Sequence, residues 1–337
     1  MEKITAVDRV EYDEYLSGRA EANFLQSWQW GELHENLGHV VCRMGLGRNG
    51  KLVGAWTGIV KDARRGRYLE IPGGPLINWS EQQISQAAME LIRNMAIKHN
   101  CVFIRLRPQE IESKKMLSTL SSIGAIKAPM HLHAEHTNIL NIQPSEEDLL
   151  SKMRRQTRYE VRRVQKRQIL VESRPPSQRD IDEFYDLQSQ TASRHGFVQS
   201  SRAFFQALRE AMGDDLLLYQ ATKDGQLLNQ ALVVRFSDEA DYFEAASTVE
   251  ARKEPGAYGV VWQAICDAKA ASCKRFNFWG IAYTDDPNHR YAGVTTFKKG
   301  FGGEDVTYVP AHDIVLRPGR YAVSWLIETI RRKRRGL

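Results

Sequence analysis

The segment from Tyr291 to Gly303 combines glycines, aromatic residues and two lysines, Lys298 and Lys299. A lysine in such a loop can hold a fixed positive charge beside an oxyanion that develops during acyl transfer. Composition alone favours a simpler interpretation, a turn whose two lysines face solvent. The chemical interpretation of Lys298 therefore depends on the rest of the chain.

Basic residues crowd the segment 147–166, which we predict to be one helix. A stripe recurs every four residues, with further basic residues beside it: the stripe is Arg154, Arg158, Arg162 and Lys166, and its neighbours are Lys152, Arg155, Arg163 and Arg167. Like charges at this spacing repel one another, and arginine suits bidentate contact with phosphate. We therefore predict an anionic partner; the alternative is a solvated basic face that binds nothing specific.

A third segment, Phe24 to Trp30, is rich in aromatic and amide side chains. Trp28 and Trp30 with the neighbouring amides could line a pocket, although tryptophans more often pack in a core. His34 follows Trp30 by one helical turn, and a lone histidine of this kind is usually structural or merely exposed.

Several kinds of site are not indicated by the sequence. It contains no HExxH, GxSxG, Walker or dinucleotide motif. The place where an acetyl-CoA enzyme would carry its pyrophosphate loop is 253–258, and there Glu254 would repel a pyrophosphate. The cysteines form no CxxC pair, so we expect neither a zinc site nor a disulfide framework; they are Cys42, Cys101, Cys266 and Cys273.

Length and composition describe the protein that must position these residues. The chain has 337 residues, with 42% hydrophobic and 26% charged, which suits a globular protein of two domains. Its net charge of +6 is modest. No apolar run of about eighteen residues appears, and the acidic start does not resemble a secretory signal. We therefore expect a cytoplasmic protein.

An internal repeat indicates the fold. Asn49-Gly50 and Asp224-Gly225 each separate two apolar stretches and predict hairpins. Tyr68 to Ile71 matches Tyr242 to Ala245 at an offset of about 174 residues. A helix and a buried strand follow in both halves, at 81–98 and 101–106 and at 258–272 and 275–279. This order predicts α/β (α+β) architecture with two tandem N-acetyltransferase (GNAT)-like domains; two unrelated α/β domains are the alternative.

The predicted first domain comprises residues 1–143 plus 310–337, and the second comprises 144–309. The final segment, 318–337, carries Val323, Leu326, Ile327 and Ile330 on one helical face. We predict that this apolar face packs on the first domain.

Over nearly its full length the chain resembles the Fem transferases (the FemABX family). The resemblance rests on four places: Gln26 to Trp30, Lys152 to Arg163, Tyr258 to Gly280, and Phe297-Lys298. It implies two GNAT-like domains, the first on the acceptor side and the second on the aminoacyl-tRNA side. It also implies transfer of an amino acid from aminoacyl-tRNA to an amine of a peptidoglycan precursor. No space remains for the helical arm of larger members, so the chain resembles the compact type.

Some positions depart from the family pattern. His34 stands where the simplest member uses a lysine for its nucleotide-linked acceptor, and Ser200 stands near an arginine that contacts the same acceptor, with Arg202 close by. Arg107 replaces an acidic residue. The acceptor could therefore be a lipid-linked precursor, another stem peptide or an unrelated amine.

The resemblance assigns roles to the candidate residues. Lys298 is the predicted catalytic residue. The predicted substrate-binding residues are Phe297, Trp28, Trp30, His34 and Arg202. The predicted tRNA-binding residues are Lys152, Arg154, Arg155, Arg158, Arg162 and Lys166, with the basic tail 331–335 as a further contact.

No metal or cofactor is expected beyond the aminoacyl-tRNA co-substrate, because the ester is already activated and the amine is the nucleophile. The residues identify no general base. We expect a monomer, with peripheral contact at the inner membrane surface as an option. Two alternatives remain: an acyl-CoA-dependent N-acyltransferase acting on a cell-envelope sugar or peptide, and a non-catalytic RNA-binding protein.

Overall fold

Two tight turns organise the sheets of the protein. The computed structural model describes residues 1–63, 66–130 and 132–335. In it, Asn49 and Gly50 have φ of 53° and 71°, and Asp224 and Gly225 have φ of 50° and 76°. Positive φ at both central residues is typical of the type I′ turn that joins twisted antiparallel strands. Each turn connects two paired strands, so both predicted hairpins are confirmed.

The chain divides into two units, of which the first comprises residues 1–135 and 307–337. Its strands are β1 Glu2–Ile4, β2 Val40–Arg48, β3 Lys51–Ala63, β4 Gly66–Gly73, β5 Leu76–Ile77, β6 Phe103–Pro108, β7 Ala125–Lys127 and β15 His312–Val315. Its helices are α1 Arg9–Ser17, α2 Trp28–Asn36, α3 Gln82–Lys98, α4 Lys114–Ser122 and α11 Pro318–Arg335. Helix α3 covers an apolar core that includes Met44, Trp56 and Ile104.

The second unit comprises residues 136–306. Its strands are β8 His136–Asn141, β9 Leu170–Arg174, β10 Leu216–Lys223, β11 Gln226–Phe236, β12 Glu239–Ser247, β13 Arg275–Gly280 and β14 Glu304–Thr307. Its helices are α5 Glu146–Lys152, α6 Arg155–Lys166, α7 Gln178–His195, α8 Arg202–Met212, α9 Gly256–Ala270 and α10 Ala292–Lys299. Helix α9 packs on a core that includes Val233, Phe276 and Phe278.

Both sheets have the same strand order. The strands of the first sheet lie in the order β2-β3-β4-β6-β15-β7. The corresponding strands of the second sheet lie in the order β10-β11-β12-β13-β8-β14. In each, three antiparallel strands lead to one parallel pair, β4 with β6 and β12 with β13. The crossover helix between the parallel strands is α3 or α9. The predicted mixed α/β fold with two similar sheets is confirmed.

The domain boundaries differ from those expected from the sequence. Residues 136–143 were expected to close the first domain, but β8 pairs with β13 in the second sheet, where Leu140 lies opposite Phe276. The corresponding place in the first sheet is filled by β15, which pairs with both β6 and β7. The first boundary therefore lies before His136, because β8 completes the sheet that follows it in the chain.

Helix α11 also packs differently from the prediction. The expected contact face was Val323, Leu326, Ile327 and Ile330, yet Val323, Leu326 and Ile330 are exposed. The buried residues are instead Tyr321, Ser324 and Glu328. The reason is electrostatic: the buried guanidinium of Arg105 on β6 hydrogen-bonds the carboxylate of Glu328 at 2.7 Å.

Candidate active site

A cavity of about 400 Å³ opens in the second unit beside the parallel strand β12. Its walls come from α7, β11, β12, the start of α9, the end of β13 and helix α10, and connecting segments contribute Phe197 and Arg290. Most of the lining is apolar, and a few polar groups point into it. This composition is typical of small-molecule sites.

Lys298 is one of the polar residues that line the cavity. It lies near the end of helix α10, not in the loop expected from its glycine-rich surroundings. The Nζ atom donates a hydrogen bond to the Gly280 carbonyl at 2.7 Å. Burial lowers the pKa of Lys298 to about 8, and the negative charge of Glu244 opposes that shift. The side chain therefore carries a positive charge at neutral pH and lacks a fully ionised partner.

Glu244 on β12 is a second ionisable residue of the cavity, and the sequence reasoning did not identify its role. Burial raises the pKa of Glu244 to about 7, partly offset by a hydrogen bond from Gln188 and by the charge of Lys298. The Gln188 amide donates to the carboxyl at 2.6 Å. A carboxyl with a pKa near neutrality can exchange protons at physiological pH. The available signal was the repeat, because Glu244 matches Glu70 within the third strand of each half.

Two residues of the cavity wall have amide oxygens without a hydrogen-bond partner. The Oδ1 atom of Asn229 and the Oε1 atom of Gln230 are buried and have no hydrogen-bond partner among the described residues. Both residues belong to β11 and line the cavity. Buried polar atoms are rarely left without a partner. Successive residues of a strand point to opposite faces of the sheet, so the two oxygens do not face one ligand together.

Phe297 lines the same cavity. Its ring makes edge-on contacts with Tyr258 and Phe301, at centroid distances of 5.0 and 5.4 Å. These aromatic neighbours pack around the ring at the wall of the cavity. Phe297 therefore lies in the cavity wall, and its role in shaping an aminoacyl pocket stays a prediction.

The basic segment forms two helices instead of the single helix predicted from the sequence. Helix α5 ends at Lys152, the chain is extended at Met153 and Arg154, and α6 begins at Arg155. Arg158 donates to the Ser151 carbonyl at 2.8 Å and thereby satisfies the last turn of α5, which needs hydrogen-bond donors. Arg158 thus has a structural role, and its predicted contact with tRNA stays a prediction.

The remaining predicted cations of this segment face solvent. These exposed residues are Lys152, Arg154, Arg155, Arg162 and Lys166. Within the described part of the chain, none of the five forms an ion pair. In contrast, Arg163 pairs with Glu160 and Arg167 with Glu254. The exposed set constitutes an uncompensated positive surface.

A short connection joins this surface to the helix that carries Lys298. The backbone N–H of Arg154 donates to the Gly300 carbonyl at 2.9 Å, directly after α10. A Cβ atom at Gly300 would lie 2.3 Å from the Thr157 hydroxyl, so only glycine permits this approach. The structure therefore brings the start of α6 and the end of α10 together in the second unit.

The aromatic residues of the first unit are mainly packing residues. Trp30 is buried and contacts Phe24 and His34 edge-on. Trp28 is partly exposed, and the Arg43 guanidinium lies 4.1 Å from its ring centroid. The burial of Trp30 leaves no surface for the substrate contact predicted for it, whereas Trp28 retains an accessible edge.

His34 is buried beside a lysine that the sequence reasoning missed. Its Nδ1 atom lies 3.1 Å from Lys61 Nζ. Burial and the positive charge of Lys61 lower the pKa of His34 to about 3, so the ring is neutral at pH 7. His34 therefore supplies no cation where the family pattern has one. Lys61 lies near the end of β3 and carries no sequence signal for this proximity.

Arg202, predicted to replace a missing cation, is already paired. It opens α8 in the second unit and forms ion pairs with Asp182 and Asp186. Its guanidinium also lies 4.4 Å from the Tyr185 ring centroid. These contacts account for its charge, and Arg202 is absent from the cavity lining. Arg107 of the first unit is likewise buried, and it donates to the Ala134 carbonyl.

In residues 1–63, 66–130 and 132–335, no group of three or more His, Cys, Asp or Glu side chains is arranged to hold a metal ion. The four cysteines are free thiols.

Comparisons with known proteins extend these observations. The model of the FemAB family matches residues 7–226 and 218–329. The "Lipid II:glycine glycyltransferase" of Staphylococcus aureus (strain MRSA252) is 22% identical over 227 residues, which is 64% of this chain and 53% of that protein. The chain therefore spans about half the length of the curated relatives it matches.

Two solved structures share the fold. A crystal structure of FemX has a TM-score of 0.86 at 18% identity, covering 97% of this chain and 100% of that one. A tandem GNAT protein from the clavulanic acid biosynthesis pathway has a TM-score of 0.56 at 11% identity, covering 93% and 98%. Both likenesses concern the fold alone, and they confirm its tandem GNAT-like character.

Proposed function

We propose, because this chain belongs to the FemAB family, that it transfers an amino acid from aminoacyl-tRNA to an amine of a peptidoglycan precursor. The observation that carries the proposal is the cavity of the second unit, where Lys298 and Glu244 lie together. Their pKa values, about 8 and about 7, leave one group able to hold a positive charge and the other able to accept a proton near neutral pH.

The donor would bind across two neighbouring features. The exposed cations of α6 would contact tRNA phosphates, which bind chiefly through charge. The aminoacyl ester would enter the cavity, because the cations at the start of α6 lie close to it: the Arg154 N–H donates to the Gly300 carbonyl, directly after α10.

The chemistry is an aminolysis of the ester. The acceptor amine attacks the ester carbonyl carbon and forms the new C–N bond, while the carbonyl oxygen becomes an oxyanion. The Lys298 ammonium stabilises that oxyanion. Glu244 accepts the proton that the attacking nitrogen loses, the ester C–O bond breaks, and the proton passes to the departing ribose oxygen. No metal or further cofactor enters this sequence.

The acceptor that we favour is a lipid-linked precursor. The relatives matched by this chain carry "Lipid II" in their name. Two positions where the family pattern has cations offer none to the diphosphate of a soluble nucleotide-linked precursor, since His34 is neutral and Arg202 is paired, and the lysine beside His34, Lys61, is itself largely buried against that ring. Assays with different aminoacyl-tRNAs and acceptors would identify the amino acid that is transferred and the amine that receives it.

A transfer assay tests the proposal. Purified protein would be incubated with radiolabelled aminoacyl-tRNAs and, in parallel, with lipid-linked or nucleotide-linked muropeptide. We expect an amide product with the lipid-linked acceptor and much less with the soluble one. Product formed from acetyl-CoA instead would support the acyl-CoA-dependent alternative, and tRNA binding without any turnover would support a non-catalytic RNA-binding protein.

A further inference from the structure

The orientation of helix α11 is set by a buried polar cluster. Arg105 hydrogen-bonds both Asp313 on β15 and Glu328 on α11, each at 2.7 to 2.8 Å. Asp313 and Glu328 are completely buried. The Tyr321 hydroxyl donates to Asp313 at 3.0 Å. Removing one member of such a cluster leaves an uncompensated buried charge, so the helix cannot rotate about its axis without a large loss of stability.

This orientation turns the apolar face of α11 outward. The exposed fractions are 55% for Val323, 56% for Leu326 and 44% for Ile330. These residues lie three and four positions apart and therefore form one stripe along the helix. A helix that only covered the sheet would gain stability by burying that stripe. The stripe therefore remains available for contact with a partner outside the chain.

The exposed charged residues of α11 are of one sign. Arg320 and Arg331 lie within one turn of the stripe and are exposed. The only acidic residue of α11 is Glu328, which is buried by Arg105. The sequence continues through Arg332 to Lys333-Arg334-Arg335, and the side chains of residues 333–335 lie outside the described part of the structure. An apolar stripe flanked by cations complements an anionic, partly apolar surface.

We propose that α11 docks on the surface of an anionic lipid bilayer. An amphipathic helix with arginines beside an apolar face binds in the plane of the interface, with its apolar side chains among the headgroups and acyl chains. Among the helices of the described residues, none is long and apolar enough to cross a bilayer. Docking therefore means lying on the membrane. This inference stands on α11 and is independent of the proposed aminoacyl transfer.

Vesicle sedimentation tests the inference with the intact chain. The probe is a mixed phosphatidylcholine–phosphatidylglycerol vesicle, compared with pure phosphatidylcholine. We expect sedimentation with the mixed vesicles, weaker sedimentation as salt screens the arginines, and little with the neutral ones. The double substitution Val323→Ser and Leu326→Ser should weaken partitioning on the order of ten-fold or more, because the apolar contact is lost.

A matched control substitutes two exposed apolar residues on other helices of the first unit. Val10 on α1 and Ile97 on α3 are 74% and 60% exposed, and Val10→Ser with Ile97→Ser should leave partitioning unchanged. Both double variants should retain the wild-type melting temperature. Equal sedimentation of wild type and the α11 variant would overturn the inference. A concentration-dependent dimer that the α11 variant abolishes, without vesicle binding, would assign the stripe to a second copy of the chain instead.

Discussion

Glu70 and Glu244 occupy matching positions in the two sheets but meet opposite surroundings. Burial alone would raise both pKa values. For Glu70, hydrogen bonding and charge from His133, with the charge of Lys61, outweigh burial and lower its pKa to about 2. For Glu244, burial dominates and raises its pKa to about 7. The first glutamate is a permanent anion in a structural pair, and the second is able to exchange a proton.

Lys298 provides the first prediction at the residue scale. Lys298→Ala should lower kcat on the order of a hundredfold, because the oxyanion loses its charged donor. Lys298→Met keeps the length of the side chain and should fail almost as severely. Steady-state kinetics on aminoacyl-tRNA would measure both variants. A rise in KM with kcat intact would make Lys298 a tRNA-binding residue instead.

The neighbouring lysine is the control for that experiment. Lys299 is partly exposed and pairs with Asp305 at 2.5 Å, outside the cavity lining. Lys299→Ala should therefore reduce kcat only slightly. If all three lysine variants matched the wild type, the assignment of this segment to catalysis would be wrong.

Glu244 provides the second prediction, which concerns pH. Activity should rise with pH through about 7, as Glu244 ionises, and fall above about 8, as Lys298 loses its proton. Glu244→Gln should lower kcat by about 10²-fold or more and remove the acidic limb. Its alkaline limb should move to lower pH, since Glu244 helps to keep Lys298 protonated. A pH profile of kcat/KM that retained the acidic limb in Glu244→Gln would exclude this residue as the base.

At the scale of the element, the basic residues of helix α6 fall into two groups, those with contacts inside the protein and those that are exposed. Arg158 and Arg163 contact neighbouring backbone or acidic groups, while Arg155 and Arg162 are exposed. Helix α6 is nonetheless held in place, because Val161 and Thr157 on its other side are buried. An exposed, rigid row of cations can follow a phosphate backbone.

The third prediction concerns tRNA affinity. Arg155→Ala with Arg162→Ala should weaken every tRNA about equally, since phosphate contacts carry no sequence information. Each lost contact should reduce the slope of log affinity against log salt by about 0.7 to 0.9. Filter binding over a salt series would measure this. The control is Arg179→Ala on α7, an exposed arginine paired with Glu183. An unchanged slope in the double variant would assign the row to another anion.

The fourth prediction concerns the attachment of α11. Glu328→Gln should destabilise the protein by about 3–5 kcal/mol, because Arg105 would keep a buried charge with one partner lost. Urea unfolding would measure the change. Glu183→Gln, in an exposed pair, should cost about 1 kcal/mol or less. Similar unfolding curves for the two variants would show that the buried cluster does not hold α11.

At the scale of the whole molecule, each sheet contains a strand from a distant part of the chain. β15 lies between β6 and β7 in the first sheet, although about 180 residues separate it from β7. So long a separation is tolerated because the entropy cost of loop closure grows slowly with loop length. β8 lies between β13 and β14 in the second sheet, and it precedes both in sequence. The first unit is therefore assembled from two segments, and the second from one.

The fifth prediction follows from this arrangement. A fragment of residues 136–307 contains every strand of the second sheet and should fold alone. The fragment 144–309, cut at the boundaries expected from the sequence, lacks β8 and should not, because β13 and β14 would lose their common neighbour. Circular dichroism and thermal unfolding would distinguish the two. Cooperative unfolding of the 144–309 fragment would show that β8 is dispensable.

The sequence by itself determined the features that depend on local residue patterns, such as turns and repeated elements. Asn49-Gly50 and Asp224-Gly225 require turns with positive φ, and the repeat of about 174 residues requires two similar sheets. Phe297-Lys298 and the basic segment were identifiable because residue types and spacing survive as local patterns. Local chain geometry sets these features, so they are visible without knowledge of long-range contacts.

Tertiary structure alone decided which distant groups meet. Contacts between residues far apart in sequence place β15 in the first sheet and β8 in the second. They also bury Glu328 against Arg105 and bring Glu244 close to Lys298. Hydrophobic periodicity predicted that the apolar face of α11 would be buried. It carries no information about a buried arginine on another element that requires a carboxylate partner. The same is true of pKa values: burial and neighbouring charges set them, and both arise only when the chain has folded.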